Sequence, residues 1–316
     1  MKFVVSGGTG FIGSHLLSYL SHERHEIVVL TRSQRPAVQR NNATVRYVQW
    51  NPYVSGEWMK EIDGAHIVVN LVGKNVAEER WNERVKEEIF NSRIVPTRFI
   101  VEAIGAARTK PQLLLSASAV GFYGNRGDEI ITEESSGGDD YLAYVVQEWE
   151  QAAYQAERFG VRVATPRTGL VLANNGGLIA KMRLPFKFFF GGPIGWGKQF
   201  LPWIHIDDVV RGMLYPVEHT SFSGVYNLVS PHPVTMKEFA KTFGGILRRP
   251  SWAPVPPFVL TAMFGEGGKV ILSGQRAVPK KLSEAGFKFS FTDLREALHN
   301  ILSGNGATHV QRELHT

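Results

Sequence analysis

Three glycines spaced three residues apart follow the first hydrophobic segment and constrain the fold more than any other feature. Residues 3–5 are Phe-Val-Val, glycines stand at positions 7, 10 and 13, and an amphipathic helix is predicted over 11–20. Glycines at this spacing permit a tight turn, close approach of the backbone to an anion, and close packing of helix on strand. N–H groups at the helix start, and the helix dipole, favour negative charge there.

The sequence therefore predicts a strand–turn–helix unit that binds the pyrophosphate of a dinucleotide; a purely structural turn without ligand is the alternative. The residues assigned to this contact are Gly7, Thr9, Gly10, Phe11, Ile12 and Gly13.

The nucleotide preference is indicated about 20 residues further on, where NAD(H)-binding chains carry a carboxylate for the ribose 2′-OH. No carboxylate occurs from residue 28 to residue 40. Arg32 instead offers a guanidinium suited to a 2′-phosphate, with Thr31, Ser33 and Arg35 beside it. We therefore expect NADP(H) rather than NAD(H) as the cofactor. A solvated loop charge is the alternative interpretation of Arg32.

Short apolar strands alternate with helical segments through the first half of the chain. Strands are predicted at 2–6, 26–31, 45–50, 66–71, 112–116 and 162–172, and helices at 11–20, 81–104 and 142–159. Continuous apolar strands are typical of a parallel sheet covered on both faces. The predicted fold class is therefore α/β, a Rossmann-type doubly wound parallel sheet with a smaller mixed C-terminal substrate lobe.

The second half is richer in glycine and proline, with a strand predicted at 224–229 and helices at 235–247 and 292–302. We expect an NADP-binding Rossmann domain over 1–170, to which parts of 200–230 return. A mixed α/β substrate lobe is expected over 171–302, and a flexible tail over 303–316.

Composition narrows the function classes. The chain has no cysteine, which excludes disulfides and thiolate ligands, and its 10 histidines form no metal-ligating pattern, so no metal is expected. The net charge of +6 is spread along the chain and does not indicate nucleic-acid binding. The most apolar stretch, 184–195, is interrupted by Pro, Gly and Lys and is too short to span a membrane. We expect no secretion, because Met1 and Lys2 lead directly into the first predicted strand. We expect a cytoplasmic protein with a small-molecule substrate and no membrane partner, with a homodimer left open.

Several motifs together resemble the extended short-chain dehydrogenase/reductase family, in its NAD(P)-dependent epimerase/dehydratase branch. They are residues 7–13, Asn70 to Gly73, Ser116 to Gly124 and Trp203 to Asp208. Within this branch the chain most resembles a group of epimerase-like proteins that have an extra C-terminal segment. Some members of that group are labelled cell-division inhibitors. The motifs for that group are Arg80-Trp81-Asn82, Gly191 to Gly195, Leu272 to Arg276 with Pro279, and Gly286-Phe287. The resemblance implies hydride transfer with nicotinamide and a sugar-nucleotide-like substrate.

The resemblance also implies a catalytic Tyr-x-x-x-Lys pair, and this chain lacks it. Alignment on Glu150 places Leu142 where the family has tyrosine and Val146 where it has lysine, and neither side chain transfers protons. Ser118 falls at the family's active-site Ser/Thr, so Ser118 and Tyr123 are our catalytic candidates. Alternative proton donors, left unranked, are Tyr141, Tyr144, Glu148 and His205. Two functions stay open, namely an oxidoreductase or isomerase with a different proton donor, and a catalytically silent NADP(H) sensor.

Remaining site residues are expected at strand ends and in the second lobe. Further cofactor contacts are expected from Asn51, Leu71, Val72, Gly73, Ser116, Ala117 and Arg167, and a substrate cleft from Lys74, Gln199, Trp203 and His205. Each of three residues has an alternative role. Asn51 could instead form a turn, Arg167 could form a buried ion pair, and His205 could anchor a loop.

Overall fold

The computed structural model describes residues 1–33, 38–40, 42–174 and 176–303. Arg35 and all but the first residue of the expected tail lie outside this part of the chain.

The strands are short and follow the predicted alternation with helices. They are β1 (Lys2–Ser6), β2 (Glu26–Thr31), β3 (Val38–Arg40), β4 (Ala43–Gln49), β5 (Ile67–Asn70), β6 (Leu113–Ser116), β7 (Ser118–Ala119), β8 (Ile130–Ile131), β9 (Arg162–Thr168), β10 (Leu170–Leu172), β11 (Phe200–Leu201), β12 (Trp203–His205), β13 (Gly224–Leu228), β14 (Val234–Thr235) and β15 (Arg276–Ala277). The α-helices are α1 (Phe11–Leu20), α2 (Glu83–Ala106), α3 (Tyr141–Tyr154), α4 (Gly177–Lys187), α5 (Ile206–Glu218), α6 (Met236–Leu247), α7 (Pro257–Phe264), α8 (Gly267–Leu272), α9 (Lys280–Glu284) and α10 (Leu294–Leu302).

The main sheet confirms the predicted Rossmann-type architecture. Its order is β13-β9-β6-β5-β1-β2-β4-β3, with every neighbouring pair parallel except β3 with β4. The order reverses at β1, which lies between β2 and β5. In open α/β sheets the crevice at such a reversal, outside the carboxyl ends of the strands, is where ligands bind.

Alternate residues of the central strands fill two separate cores, one on each face of the sheet. In β1, Phe3 and Val5 pack with α1 and α5 on one face, whereas Val4 packs with α2 residues on the other. Both faces are therefore apolar, as the uninterrupted hydrophobic strands predicted.

The predicted strand 162–172 is in fact two strands, β9 and β10, separated by Gly169. A Cβ on Gly169 would lie 2.0 Å from the carbonyl oxygen of Pro202, and the Gly169 N–H donates to the Leu228 carbonyl oxygen at 3.1 Å. The chain therefore leaves the main sheet at this glycine, and β10 pairs with β12 instead.

Five of the described α-helices were not predicted from the sequence, namely α4, α5, α7, α8 and α9. Two of these, α4 and α5, contain a proline in the last turn, Pro185 and Pro216. A third core forms where α4 meets α6 and α10, through residues such as Ile179, Phe239 and Leu298. The short strand β15 pairs with β8, which brings the C-terminal segment back to the N-terminal half.

Candidate functional site

The loop between β1 and α1 has a backbone that only glycine permits. Gly7 has φ +73°, and a Cβ there would lie 2.7 Å from the backbone carbon and oxygen of Leu71. A Cβ on Gly13 would lie 2.3 Å from the Gly7 carbonyl oxygen and 2.6 Å from Gly8 Cα. These neighbours are backbone atoms that cannot rotate away. The two glycines thus let the turn fold tightly against α1 and against the loop after β5.

The first turn of α1 leaves an anion-binding end open. Its N-cap residue, Gly10, has an extended backbone and no side-chain hydrogen bond, and the first turn holds no acidic residue. By contrast, α2 and α3 begin with Asn82 and Asp140, whose side chains accept from the helix N–H groups of Val85 and Ala143, each at 2.9 Å. Amides at the start of α1 are therefore in the arrangement that binds phosphate at helix N-termini.

A buried polar network holds the loop after β5 beside this turn. Asn70, fully buried at the end of β5, accepts from Ser6 Oγ at 2.8 Å and donates from Nδ2 to Thr97 Oγ1 at 2.8 Å. The Val72 N–H donates to Asn70 Oδ1 at 3.4 Å. Asn70 thus ties the ends of β1 and β5 to α2 and fixes the start of the Leu71–Gly73 loop.

This loop continues against α2 through Arg93, a residue that sequence reasoning missed. Arg93 Nη2 donates to the Lys74 carbonyl oxygen at 2.9 Å, and a Cβ on Gly73 would lie 3.2 Å from Arg93 Cζ. Burial lowers the pKa of Arg93 to about 10. A side chain at position 73 would therefore crowd the guanidinium. The signal in the sequence was one of three arginines inside a long amphipathic helix, which is not diagnostic.

A cleft of about 630 Å³ opens beyond the ends of β2 and β4. Arg32, Asn51 and Tyr53 contribute to its wall. Asn51 Oδ1 accepts from the Tyr53 N–H at 3.0 Å, so this side chain forms a turn. Arg32 is exposed, and Thr31 is buried at the end of β2. The Tyr53 ring is about half exposed and forms part of the cleft wall, a role that no sequence motif indicated.

The two catalytic candidates lie in a buried hydrogen-bonded cluster between β7, β9 and α3. Ser118 Oγ donates to Glu150 Oε1 at 2.5 Å. Arg167 donates to both Glu150 oxygens, from Nε and from Nη2, at 2.8 Å each. Arg167 Nη1 also donates to Tyr123 Oη at 3.0 Å, and Tyr123 in turn donates to Asn227 Oδ1 at 2.7 Å.

This cluster changes the roles expected of three residues. Tyr123 is 0% exposed and Arg167 only 4%, so neither faces open space in which a substrate or cofactor would lie. Burial raises the pKa of Tyr123, so its hydroxyl ionises less readily. The Ser118 hydroxyl already donates a hydrogen bond to the Glu150 carboxylate. Such contacts are typical of groups with a structural role, and Arg167 forms the buried ion pair that was the alternative to cofactor contact.

The structure also places the two apolar replacements of the Tyr-x-x-x-Lys pair. Leu142 and Val146 lie one turn apart on α3, and a Cβ on Gly121 would be 3.9 Å from each of them. Both side chains therefore face the segment that follows Ser118. Of the nearby tyrosines, Tyr141 donates to the Lys86 carbonyl oxygen at 2.6 Å, and Tyr144 is exposed and stacks on Phe90.

The four residues expected to line a substrate cleft do not form one group. Trp203 and His205 are fully buried, which contradicts an open cleft position: Trp203 Nε1 donates to the His232 carbonyl oxygen at 2.9 Å, and His205 caps α5 and stacks on Phe291. Lys74 Nζ pairs with Glu79 at 2.7 Å and with Glu88. Gln199 is half-buried and donates to the Ile194 carbonyl oxygen at 2.9 Å.

Positions of the remaining predicted residues follow from the sheet. Ser116 ends β6 beside Asn70, and the N–H of the next residue, Ala117, donates to the Asn70 carbonyl oxygen at 2.8 Å. Ser33 follows Arg32 beyond β2. Over the described ranges, no cluster of three His, Asp or Glu side chains is arranged to hold a metal ion. No helix within those same ranges combines the length and apolar character needed to cross a bilayer.

A Rossmann sheet with a glycine turn at its reversal point defines the class as a dinucleotide-binding protein. More specifically, residues 3–228 match the NAD dependent epimerase/dehydratase family, and the chain belongs to this family. Residues 255–301 match a further domain of unknown function, DUF1731.

Individual relatives agree with this assignment over almost the whole chain. Epimerase family protein YfhF of Bacillus subtilis is 38% identical over 304 residues, which is 96% of this chain and 98% of the relative. The chloroplastic SDR39U1 homolog of Arabidopsis thaliana is 40% identical over 308 residues, 96% of this chain and 87% of the relative. A crystal structure of human epimerase family protein SDR39U1 with NADPH has a TM-score of 0.86 and 34% identity, and the match covers 96% of this chain and 99% of that one.

Proposed function

We propose that this protein binds NADP(H) across the carboxyl edge of its main sheet. The observation that carries the proposal is the β1–α1 turn, in which Gly7 and Gly13 leave no room for any Cβ and the amides of α1 face the reversal point. In this arrangement the pyrophosphate would lie on those amides. The relative from human, whose structure contains NADPH, shares this fold at 34% identity, which supports the same nucleotide here.

The preference for the phosphorylated nucleotide rests on charge at the adenosine end. Arg32 lines the cleft beyond β2. The lining residues include one carboxylate, Glu57, which is distant from Arg32 in the sequence. A guanidinium binds a 2′-phosphate through charge-assisted hydrogen bonds. An NAD(H) site would need a carboxylate at the end of β2, where Thr31 and Arg32 stand instead.

Exchange of Arg32 tests this assignment directly. Arg32→Asp should weaken NADPH binding at least tenfold, since one charged hydrogen bond contributes about 1.5–3 kcal/mol, while NADH binding stays the same or improves. Arg24→Asp, at an exposed residue before β2, is the matched control and should leave both affinities unchanged. Fluorescence titration with both nucleotides measures the effect. Unchanged NADPH affinity in Arg32→Asp would show that the 2′-phosphate lies elsewhere.

For activity, we propose an oxidoreductase or isomerase that acts on a small, sugar-nucleotide-like molecule. Nicotinamide would supply or accept the hydride when bound. The chain's own part is to position the ring with the Leu71–Gly73 loop, Ser116 and Ala117, and to exclude water with apolar Leu142 and Val146. Because those two residues replace the usual acid–base pair, the proton would come from the substrate, from solvent or from another side chain, such as Tyr144 or Glu148 on α3.

A second candidate, a catalytically silent NADP(H) sensor, is favoured by a specific observation. Ser118 and Tyr123 are both committed to the buried cluster, and no Tyr-x-x-x-Lys occurs anywhere in the chain. A screen with NADPH deuterated at C4 distinguishes the two candidates. Deuterium transfer to any carbonyl or sugar-nucleotide compound, or isomerisation of such a compound in the presence of NADP⁺, supports the enzyme, whereas tight NADPH binding with neither reaction across the screen supports the sensor.

The same proposal assigns the cofactor and the substrate to different parts of the chain. Residues 1–170, together with β13, would hold the cofactor, and residues 171–302 would hold the substrate. We further propose a cytoplasmic location and a small-molecule substrate rather than nucleic acid, with homodimer formation to be measured by sedimentation.

A further inference from the structure

A set of large apolar side chains is exposed around the C-terminal end of α4. Phe188, Phe190 and Trp252 are 64%, 67% and 66% exposed, and Leu184 and Phe189 are more than half exposed. We call these five residues the aromatic patch. Isolated exposed apolar residues are common, but a contiguous group of this kind marks an interaction site.

Backbone contacts hold the aromatic patch in place. The Phe190 N–H donates to the Pro185 carbonyl oxygen at 3.0 Å, and Trp252 Nε1 donates to the Phe189 carbonyl oxygen at 3.1 Å. Phe189 itself has φ +66°, a conformation that is unfavourable for a bulky residue. The rings thus extend from an ordered turn that keeps an unfavourable backbone conformation. Phe186, which precedes this turn, belongs to the third core.

The segments that build the patch carry only positive charge. No Asp or Glu occurs from residue 169 to residue 206, or from residue 239 to residue 265. The basic residues in these two segments are Lys181, Arg183, Lys187, Lys198, Lys241, Arg248 and Arg249. Arg249 lies 4.6 Å over the Phe189 ring, so cations and rings are interleaved.

We propose that the aromatic patch and its basic residues dock this protein on an anionic lipid bilayer. Phenylalanine and tryptophan rings partition into the headgroup region, and lysine and arginine side chains are attracted to anionic lipids there. A second copy of the chain is a poorer occupant because it would set like charges against each other. This revises the expectation from the sequence that no membrane partner exists, since surface docking needs no spanning helix.

Vesicle co-sedimentation of the full chain tests the proposal. We expect binding to phosphatidylcholine vesicles that contain one third phosphatidylglycerol, weak or no binding to phosphatidylcholine alone, and loss of binding at high salt. Arg248→Gln with Arg249→Gln should weaken binding about 25-fold, at about fivefold per cation. Arg24→Gln with Arg108→Gln, at two exposed arginines outside the patch segments, is the matched control and should retain affinity.

The apolar contribution has its own variant pair. Phe188→Ser with Phe190→Ser should abolish measurable co-sedimentation, and because both rings are exposed the fold should survive, as circular dichroism would show. Ile130→Ser, at an exposed apolar residue on β8, should bind as the unmodified protein does.

Three outcomes would overturn the proposal. They are failure to bind anionic vesicles, binding that the patch variants do not alter, and concentration-dependent self-association that Phe188→Ser with Phe190→Ser abolishes. The last outcome would identify a second copy as the occupant. Retention on an acidic protein without vesicle binding would likewise reject the lipid surface.

Discussion

Removal of Arg167 should destabilise the protein severely, because it leaves a buried carboxylate without its counter-ion. The Arg167 and Glu150 side chains are 5% and 7% exposed, and two hydrogen bonds of 2.8 Å join them. After Arg167→Met, Glu150 would retain only the hydroxyl of Ser118. Breaking a buried ion pair from one side costs about 3–5 kcal/mol, and we expect a loss in that range.

The double variant separates the ion pair from simple loss of packing. Replacing both partners, with Arg167→Met and Glu150→Leu, removes the uncompensated charge, so most of the stability should return. Urea unfolding followed by tryptophan fluorescence gives the four free energies of the cycle, and we expect a coupling of at least about 2 kcal/mol. The exposed pair Glu57 and Lys60 is the matched control, with a coupling below about 1 kcal/mol.

Two results would refute this reasoning. One is a loss of less than about 1 kcal/mol in Arg167→Met, which would mean that water or another side chain reaches Glu150. The other is a double variant no more stable than the worse single one. NADPH affinity measured on the double variant adds a functional test, since a structural cluster predicts that the folded double variant still binds the nucleotide.

Gly13→Ala should lower the unfolding free energy by about 1–3 kcal/mol and NADPH affinity at least tenfold, because the new Cβ would lie 2.3 Å from the Gly7 carbonyl oxygen. Gly245→Ala is the control, because a Cβ there would meet no atom within 4 Å, and it should stabilise α6 by about 0.5–1 kcal/mol in the same urea titration. Tyr123→Phe should cost about 1–3 kcal/mol of stability through two lost hydrogen bonds, and any turnover should persist; complete loss of activity in a folded variant would restore Tyr123 as a catalytic residue. Burial raises the pKa of Asp207 from 3.8 to about 7, so its contribution is complete below pH 3.8 and is lost as the pH rises through 7. Asp207→Asn should therefore flatten the decline of unfolding free energy between those pH values, and equal slopes for both proteins would contradict the assignment.

Local rules explain which features of the fold could be predicted. The alternation of apolar strands and amphipathic segments depends on neighbouring residues only, and so does the glycine turn, whose conformation excludes side chains at Gly7 and Gly13. The parallel orientation of the strands follows from these elements, because a strand–helix–strand crossover joins parallel strands, whereas the strand order was not predicted. The helix α4 was not predicted because Pro185 breaks the periodic pattern, although a proline in the last turn of a helix is tolerated.

The sequence by itself determined the strand–turn–helix unit, the presence of Arg32 in place of a carboxylate after the second strand, and the absence of the Tyr-x-x-x-Lys pair, since each is a property of adjacent or regularly spaced residues. Only the tertiary structure decided the surroundings of the polar residues. It enclosed Ser118, Tyr123 and Arg167 around Glu150, buried His205, and exposed Phe188 to Phe190. Burial depends on contacts between residues that are far apart in the chain, and no local pattern specifies those contacts.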